Sequence, residues 1–230
     1  MMPEPKVCYI CAEPIASEDL TVEHVFPENL FNPGDRIDLV KLPAHRACNA
    51  SYSKDDEYFR LCMTAAAYEE PRAKMLWKGP VLRSVHRPES ARYKSYIQSN
   101  VHDVEVRTEA GIVLGNATVM TQDPPRIERV VQRMARGLHT QLTGDILPVD
   151  WPVSCDLIKP GVRAAPELTC IYDAQRARVV GNGTVHYVPT YHPGDTRDAI
   201  FWIVFYDSID FWAFIGTKTH QLLCGDEDDA

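Results

Sequence analysis

Two short Cys/His pairs constrain this chain more than any other feature. Cys8 and Cys11 in "VCYIC" are separated by two residues, and so are His45 and Cys48 in "HRACN". Two intervening residues let the backbone turn and aim both side chains at one ion, while its N–H groups point at the sulfurs. Three thiolates and one imidazole suit a closed tetrahedral zinc site. The bland alternative is a surface His45 and small, buried hydrophobic cysteines. The chain has seven cysteines, an odd number, and its start, "MMPEPKVCYICAEP", lacks the basic and apolar stretches of a secretory leader. A reducing cytoplasm with metal-bound or free thiols is therefore expected in place of a disulfide framework. Cys62, Cys155, Cys170 and Cys224 have no partner at ligand spacing and are assigned structural roles.

The segment clamped between the two pairs must fold as something. "TVEHVF" is short, β-branched and apolar, reads as a strand, and is closed by Pro27. "IDLVKL" reads as a second strand that leads into the second pair, and residues from Ala50 to about Tyr68 read as a helix. Glu23 and His24 sit side by side on the first strand, and Asn49 stands near the helix start.

The motifs "CYIC", "VEHVFPENLF" and "HRACNASYSKDDEY" resemble the HNH nuclease family, of ββα-metal architecture, over about residues 7–60. In the zinc-bearing subset of that family an acid-His or His-His pair lies between two cysteine knuckles, and the second knuckle runs into Asn or His. The resemblance implies a nuclease acting on DNA. It gives His24 as the base that activates water, and Glu23 and Asn49 as ligands of a catalytic Mg2+ or Mn2+. Where the family often carries an Asn that orients the base, the best-placed residue here is Asp38, with Asn29 and Asn32 as alternatives. Ser53 stands where some members carry histidine, so the pattern is nearer to the HNH domain of the RNA-guided CRISPR nuclease than to the colicin-type DNases.

The chemistry is coherent without the family. Phosphodiester hydrolysis needs an activated water, a cation on the phosphate and alignment of the two. Neutral imidazole is a suitable base near pH 7, and a carboxylate is a suitable ligand for a hard divalent ion. Adjacent residues of an ideal strand point to opposite faces, so a twist or bulge is required to bring Glu23 and His24 to one site. The competing readings are a satisfied core histidine, a surface acid, and Asn49 as a helix N-cap.

The expected fold class is α+β. A ββα-metal module with structural zinc spans 1–62 and a helical connector 63–100. A mixed α/β domain with an antiparallel sheet spans 101–224, and 225–230 form an acidic tail. Strands are expected at "VHDVEVRT", "GIVLGNATVM", "ELTCIYD", "RARVVGNGTVHYVP", "AIFWIVFYD" and "FWAFIG", with a tight turn at "GNG". The longest helix should run from Pro124 to about Leu142 and stop at Gly144. On it Arg126, Arg129, Arg133 and Arg136 share one face. That ridge could follow a phosphate backbone, or be a solvated charge stripe. Trp202, Phe205 and Trp212 read as core. A formal net charge of −8 argues against a protein that coats nucleic acid through bulk positive charge, though not against local contact. No apolar run is long enough to span a membrane. The leading expectation is a metal-dependent endonuclease cutting DNA. The alternative is a non-catalytic zinc module that binds nucleic acid or protein.

Overall fold

The computed structural model describes residues 6–158 and 177–217. The chain is mixed α and β, with antiparallel sheets throughout. Strand β1 (Leu20–His24) pairs antiparallel with β2 (Lys41–His45), in unbroken register from Leu20↔His45 to His24↔Lys41. Helix α1 (Arg46–Ala50) follows at once, and α2 (Ser53–Ala66) follows α1. The second strand lies further along than "IDLVKL" suggests, and it includes Pro43. A two-stranded sheet leaves one side of each strand unpaired, so the missing N–H of proline breaks no ladder there. The Pro43 carbonyl faces that side and accepts from the Tyr9 N–H at 3.3 Å. The single helix expected from Ala50 is two helices, parted at Ser51 and Tyr52.

Helices α3 (Pro71–Leu76), α4 (Leu82–Val85) and α5 (Ala91–Asn100) fill the helical connector, with a π-helical turn at Trp77–Val81 around Pro80. Proline removes an N–H from the helix ladder, and the wider turn absorbs the defect. A hairpin of β3 (Val101–Arg107) and β4 (Val113–Met120) precedes α6 (Pro124–Thr143). Helix α6 begins on Pro124 and Pro125 and ends on Gly144 at φ 75°, a left-handed cap that glycine adopts without strain. Strands β5 (Val153–Leu157), β6 (Arg178–Val180), β7 (Val185–His192), β8 (Asp195–Phe205) and β9 (Ile209–Ile215) form one sheet in the order β5-β9-β8-β7-β6. The aromatic β8–β9 hairpin is central, as its apolar sequence requires. The strand expected at "ELTCIYD", Cys170, Cys224 and the acidic tail lie outside the described residues. Strand β5, absent from the sequence expectation, forms along the edge of β9.

One apolar core joins parts that the sequence divides. Val25, Phe26 and Leu30 pack with Phe59 of α2, Met134 of α6, and Phe201 and Phe211 of the large sheet. Phe205 belongs to this core, while Trp202 and Trp212 stack at 4.9 Å in a smaller cluster with Ile200 and Phe214. Two close approaches fix the relation between N- and C-terminal segments. A Cβ at Gly137 of α6 would lie 2.6 Å from a Val25 methyl and 3.1 Å from the Tyr9 ring. Helix α6 can therefore press against the β1 end only through glycine. On the opposite side, the buried Tyr206 hydroxyl donates to the Leu30 carbonyl at 2.7 Å. Among the described residues, no helix is long and apolar enough to cross a membrane.

Candidate functional site

The first knuckle is a tight loop. A bridge between Val7 and Pro14 closes it, the Ala12 N–H donates to the Cys8 carbonyl at 2.8 Å, and Ala12 takes φ 60°. The second knuckle is built by the strand-to-helix junction. His45 ends β2 in extended conformation (φ −65°, ψ 144°) and Cys48 follows within the first turn of α1. His45 Nδ1 lies 3.2 Å from Cys11 Sγ and 3.9 Å from Cys48 Sγ. The His45 N–H lies 3.5 Å from Cys8 Sγ. Ligand atoms of Cys8, Cys11, His45 and Cys48 all fall within 4.8 Å of one another. The far ring nitrogen, Nε2, is 3.2 Å from the Pro14 carbonyl. A proton there fixes the tautomer and turns the Nδ1 lone pair toward the sulfurs, an outer contact typical of metal-bound histidine. Burial pushes the Cys48 thiol up to about 12, with the Cys8 and Cys11 sulfurs acting in the same direction. These four residues could hold a metal ion, in an arrangement consistent with a structural zinc.

Beside this cluster lies an open cleft of about 460 Å³, lined by Glu23, His24, Asn29, Asn49, Ser53 and Asp56 among others. The expected trio of Glu23, His24 and Asn49 is thus brought to one place. No bulge is needed: β1 ends at His24, and the cleft wraps that end so that neighbours facing opposite ways both border it. Glu23 is buried and His24 is half-buried. Burial lowers the His24 pKa, with Glu28 opposing. Burial pushes the Glu23 carboxyl up to about 7 against the pull of Arg133. Asn49 lies within α1, and neither α1 nor α2 has a side-chain N-cap bond, so Asn49 is no cap.

Two expectations need correction. Asp38 does not line the cleft. Because β2 starts at Lys41, which pairs with His24, Asp38 falls in the preceding bend, exposed and at φ 54°. Of the alternative orienters, Asn32 is drawn away to the Arg72 carbonyl at 3.2 Å. Asn29 borders the cleft, where its Nδ2 donates to the Asp56 carbonyl at 3.3 Å and its buried Oδ1 has no partner among the described residues.

The arginine face of α6 is likewise not a free ridge. Arg133 is 1% exposed and donates to Glu23 at 2.8 Å and to Asp56 at 2.8 and 3.1 Å. Arg126 and Arg129 both reach Asp55, and their guanidinium groups lie over the Tyr58 and Tyr52 rings. Arg136 binds backbone carbonyls, including those of Pro148 at 2.8 Å and Trp151 at 2.6 Å. The face docks α6 onto α2 and the segment after it, because a buried guanidinium needs several acceptors at once.

Sequence reasoning missed Asp56 and the role of Arg133. Asp56 had a local signal, since Ser53 and Asp56 stand three apart at the start of α2 and Asn49 four residues before Ser53. Arg133 had none, being distant in sequence from both its partners. Comparison with models of protein families, with characterised proteins and with solved structures finds no match to this chain.

Proposed function

We propose that this chain is a metal-dependent endonuclease of the HNH type that hydrolyses phosphodiester bonds in DNA, with Cys8, Cys11, His45 and Cys48 holding a structural zinc. The observation that carries this reading is the shared cleft. Glu23, His24 and Asn49 border one cavity beside the four-ligand cluster, on a strand–strand–helix unit. The residues fit a hard divalent cation, because the cleft offers a carboxylate oxygen of Glu23 and an amide oxygen of Asn49, while both Asp56 oxygens accept from Arg133. Mg2+ or Mn2+ bound there would neutralise phosphate charge and stabilise the departing oxygen.

His24 acts as the base. Its lowered pKa keeps the ring neutral at pH 7 and able to take a proton from water. Asn29 is the candidate to orient that ring, supported by its place in the same wall and by its buried Oδ1, which accepts from no group among the described residues. Asn49 projects from α1, which starts at Arg46 directly after His45 and carries Cys48, so a metal held by these residues would also fix Asn49. Arg133 holds the Glu23 Oε1, leaving Oε2 without a hydrogen bond among the described residues.

One observation favours a second reading, a non-catalytic zinc module that binds nucleic acid or protein. Glu23 and Asp56 already share a buried cation in Arg133, as a purely structural ion pair would. Metal titration separates the two readings. With plasmid DNA as substrate, the nuclease reading expects cleavage only with Mg2+ or Mn2+. Glu23→Ala and Asn49→Ala should lose activity that partly returns at high metal concentration. Absence of cleavage by the intact protein at any concentration of either metal leaves the binding module.

A further inference from the structure

A second cavity, of about 290 Å³, opens beside the cleft and shares Asn29 and Ser53 with it. Its other walls include Arg60 of α2, Arg83 of α4, Arg87 just beyond α4, Ser84 and Glu57. Three guanidinium groups thus meet one carboxylate, in a chain whose overall charge is −8. Their partnerships contrast with those on α6. Arg83 and Arg87 are exposed and make no side-chain hydrogen bond or ion pair among the described residues. Arg60 is largely enclosed, donates to Ser84 Oγ at 3.1 Å and stands 3.8 Å from Glu57. Its Nε is buried with no partner. Burial lowers the Arg60 pKa; Glu57 opposes this and the Arg87 charge adds to it.

Arg60 is the enclosed member, and its buried, unpartnered Nε beside a single carboxylate is costly unless an anion supplies the missing acceptor and charge. Guanidinium groups match phosphate oxygens with paired N–H donors. We propose that Arg60, Arg83 and Arg87 form a phosphate subsite that seats a backbone phosphate of the DNA strand next to the one in the cleft. The inference rests on the nuclease reading for the identity of the ligand, but not for its charge. Such contacts position the strand without reading its sequence. The π turn around Gly79 and Pro80 has a role in this arrangement, since it precedes α4 directly and sets where Arg83 and Arg87 stand relative to α2.

The test is fluorescence anisotropy of a short labelled DNA duplex with the full chain, over a series of NaCl concentrations and without added divalent metal. Arg83→Ala with Arg87→Ala should weaken binding about tenfold or more and reduce the salt slope by roughly 1, since the one phosphate that the subsite neutralises contributes about 0.9. Both residues are exposed and unpaired, so the fold should survive. Arg83→Lys with Arg87→Lys should keep the slope, because the charge remains. If the double alanine variant binds with unchanged affinity and slope, or the unaltered chain does not bind the duplex, the subsite is overturned. If binding depends on the arginines but plasmid stays intact with Mg2+ and Mn2+, the subsite stands and the hydrolytic reading falls.

Discussion

The knuckle region and the large sheet hold themselves together by opposite means. Around the knuckles the buried apolar set among the described residues is Cys8, Tyr9, Ile15 and Ala44. Around the sheet, aromatic residues from β8 and β9 pack with α2, α6 and the loop after β1. A core of four residues is too small to offset the entropy of ordering its loops. A metal is the natural substitute, since its binding energy becomes folding energy. The sheet needs no such aid. The cleft lies on the seam between these two kinds of structure. His24 and Asn49 sit next to the part whose four Cys/His residues could hold a metal, while Glu23 and Asp56 are gripped by Arg133 from the core-held part.

The largest expected effect of breaking this arrangement comes from the metal cluster. Cys8→Ser should abolish tight zinc binding, one ion per chain by elemental analysis in the unaltered protein. Hydrogen exchange should then show loss of protection in β1, β2 and α1, with α2, α6 and the large sheet still protected. Uniform loss across the chain, or retention of zinc, would show that the two regions do not differ as described.

The next effect concerns the seam. Arg133→Ala leaves the buried Glu23 and the half-buried Asp56 without their cation, and removal of one partner of such a pair costs about 3–5 kcal/mol. The prediction is a fall of that order in denaturant unfolding. Removing the carboxylates as well, with Glu23→Ala and Asp56→Ala in the same chain, should recover part of it. Equal destabilisation with and without the carboxylates would mean that Arg133 acts by packing alone.

The smallest effect is in pH. His139 on α6 is fully buried, and neither ring nitrogen has a partner among the described residues. Burial lowers its pKa in the folded chain from 6.5, with Asp145 opposing. Below that value the unfolded chain takes up a proton that the native ring resists. The His139 contribution to stability should therefore be flat above about pH 7 and fall as pH drops through 6.5, by at most about 1.4 kcal/mol per unit. Burial lowers His24 as well, which adds a contribution of the same sign, while Glu23, raised to about 7, contributes with the opposite sign, so the comparison with a His139 variant isolates this residue. His139→Phe should flatten this limb, as measured by urea midpoints from pH 5 to 8.

What the sequence revealed follows the range of the interactions involved. The Cys/His spacing, the Glu23–His24 strand, and the helix from Pro124 to Gly144 depend on neighbours a few residues away, and periodicity and turn chemistry expose those. Strand β5 lacks a β-branched run and becomes a strand by pairing with β9, which no local pattern states. The α6 arginines occur at helical spacing, as an exposed stripe would. Their ion pairs to Glu23, Asp55 and Asp56 are set by tertiary contact. Asp38 was misplaced for a related reason: β2 tolerates Pro43 and so begins three residues after Asp38.

The central claim is that His24 performs chemistry and does not merely fill the wall of the cleft. The direct measurement is plasmid cleavage by His24→Ala with Mg2+, alongside zinc content and duplex binding on the same preparation. The account predicts a rate lower by about a hundred- to ten-thousand-fold, unrescued by added metal, with zinc and duplex affinity unchanged. Cleavage at the unaltered rate with the zinc cluster intact would contradict it.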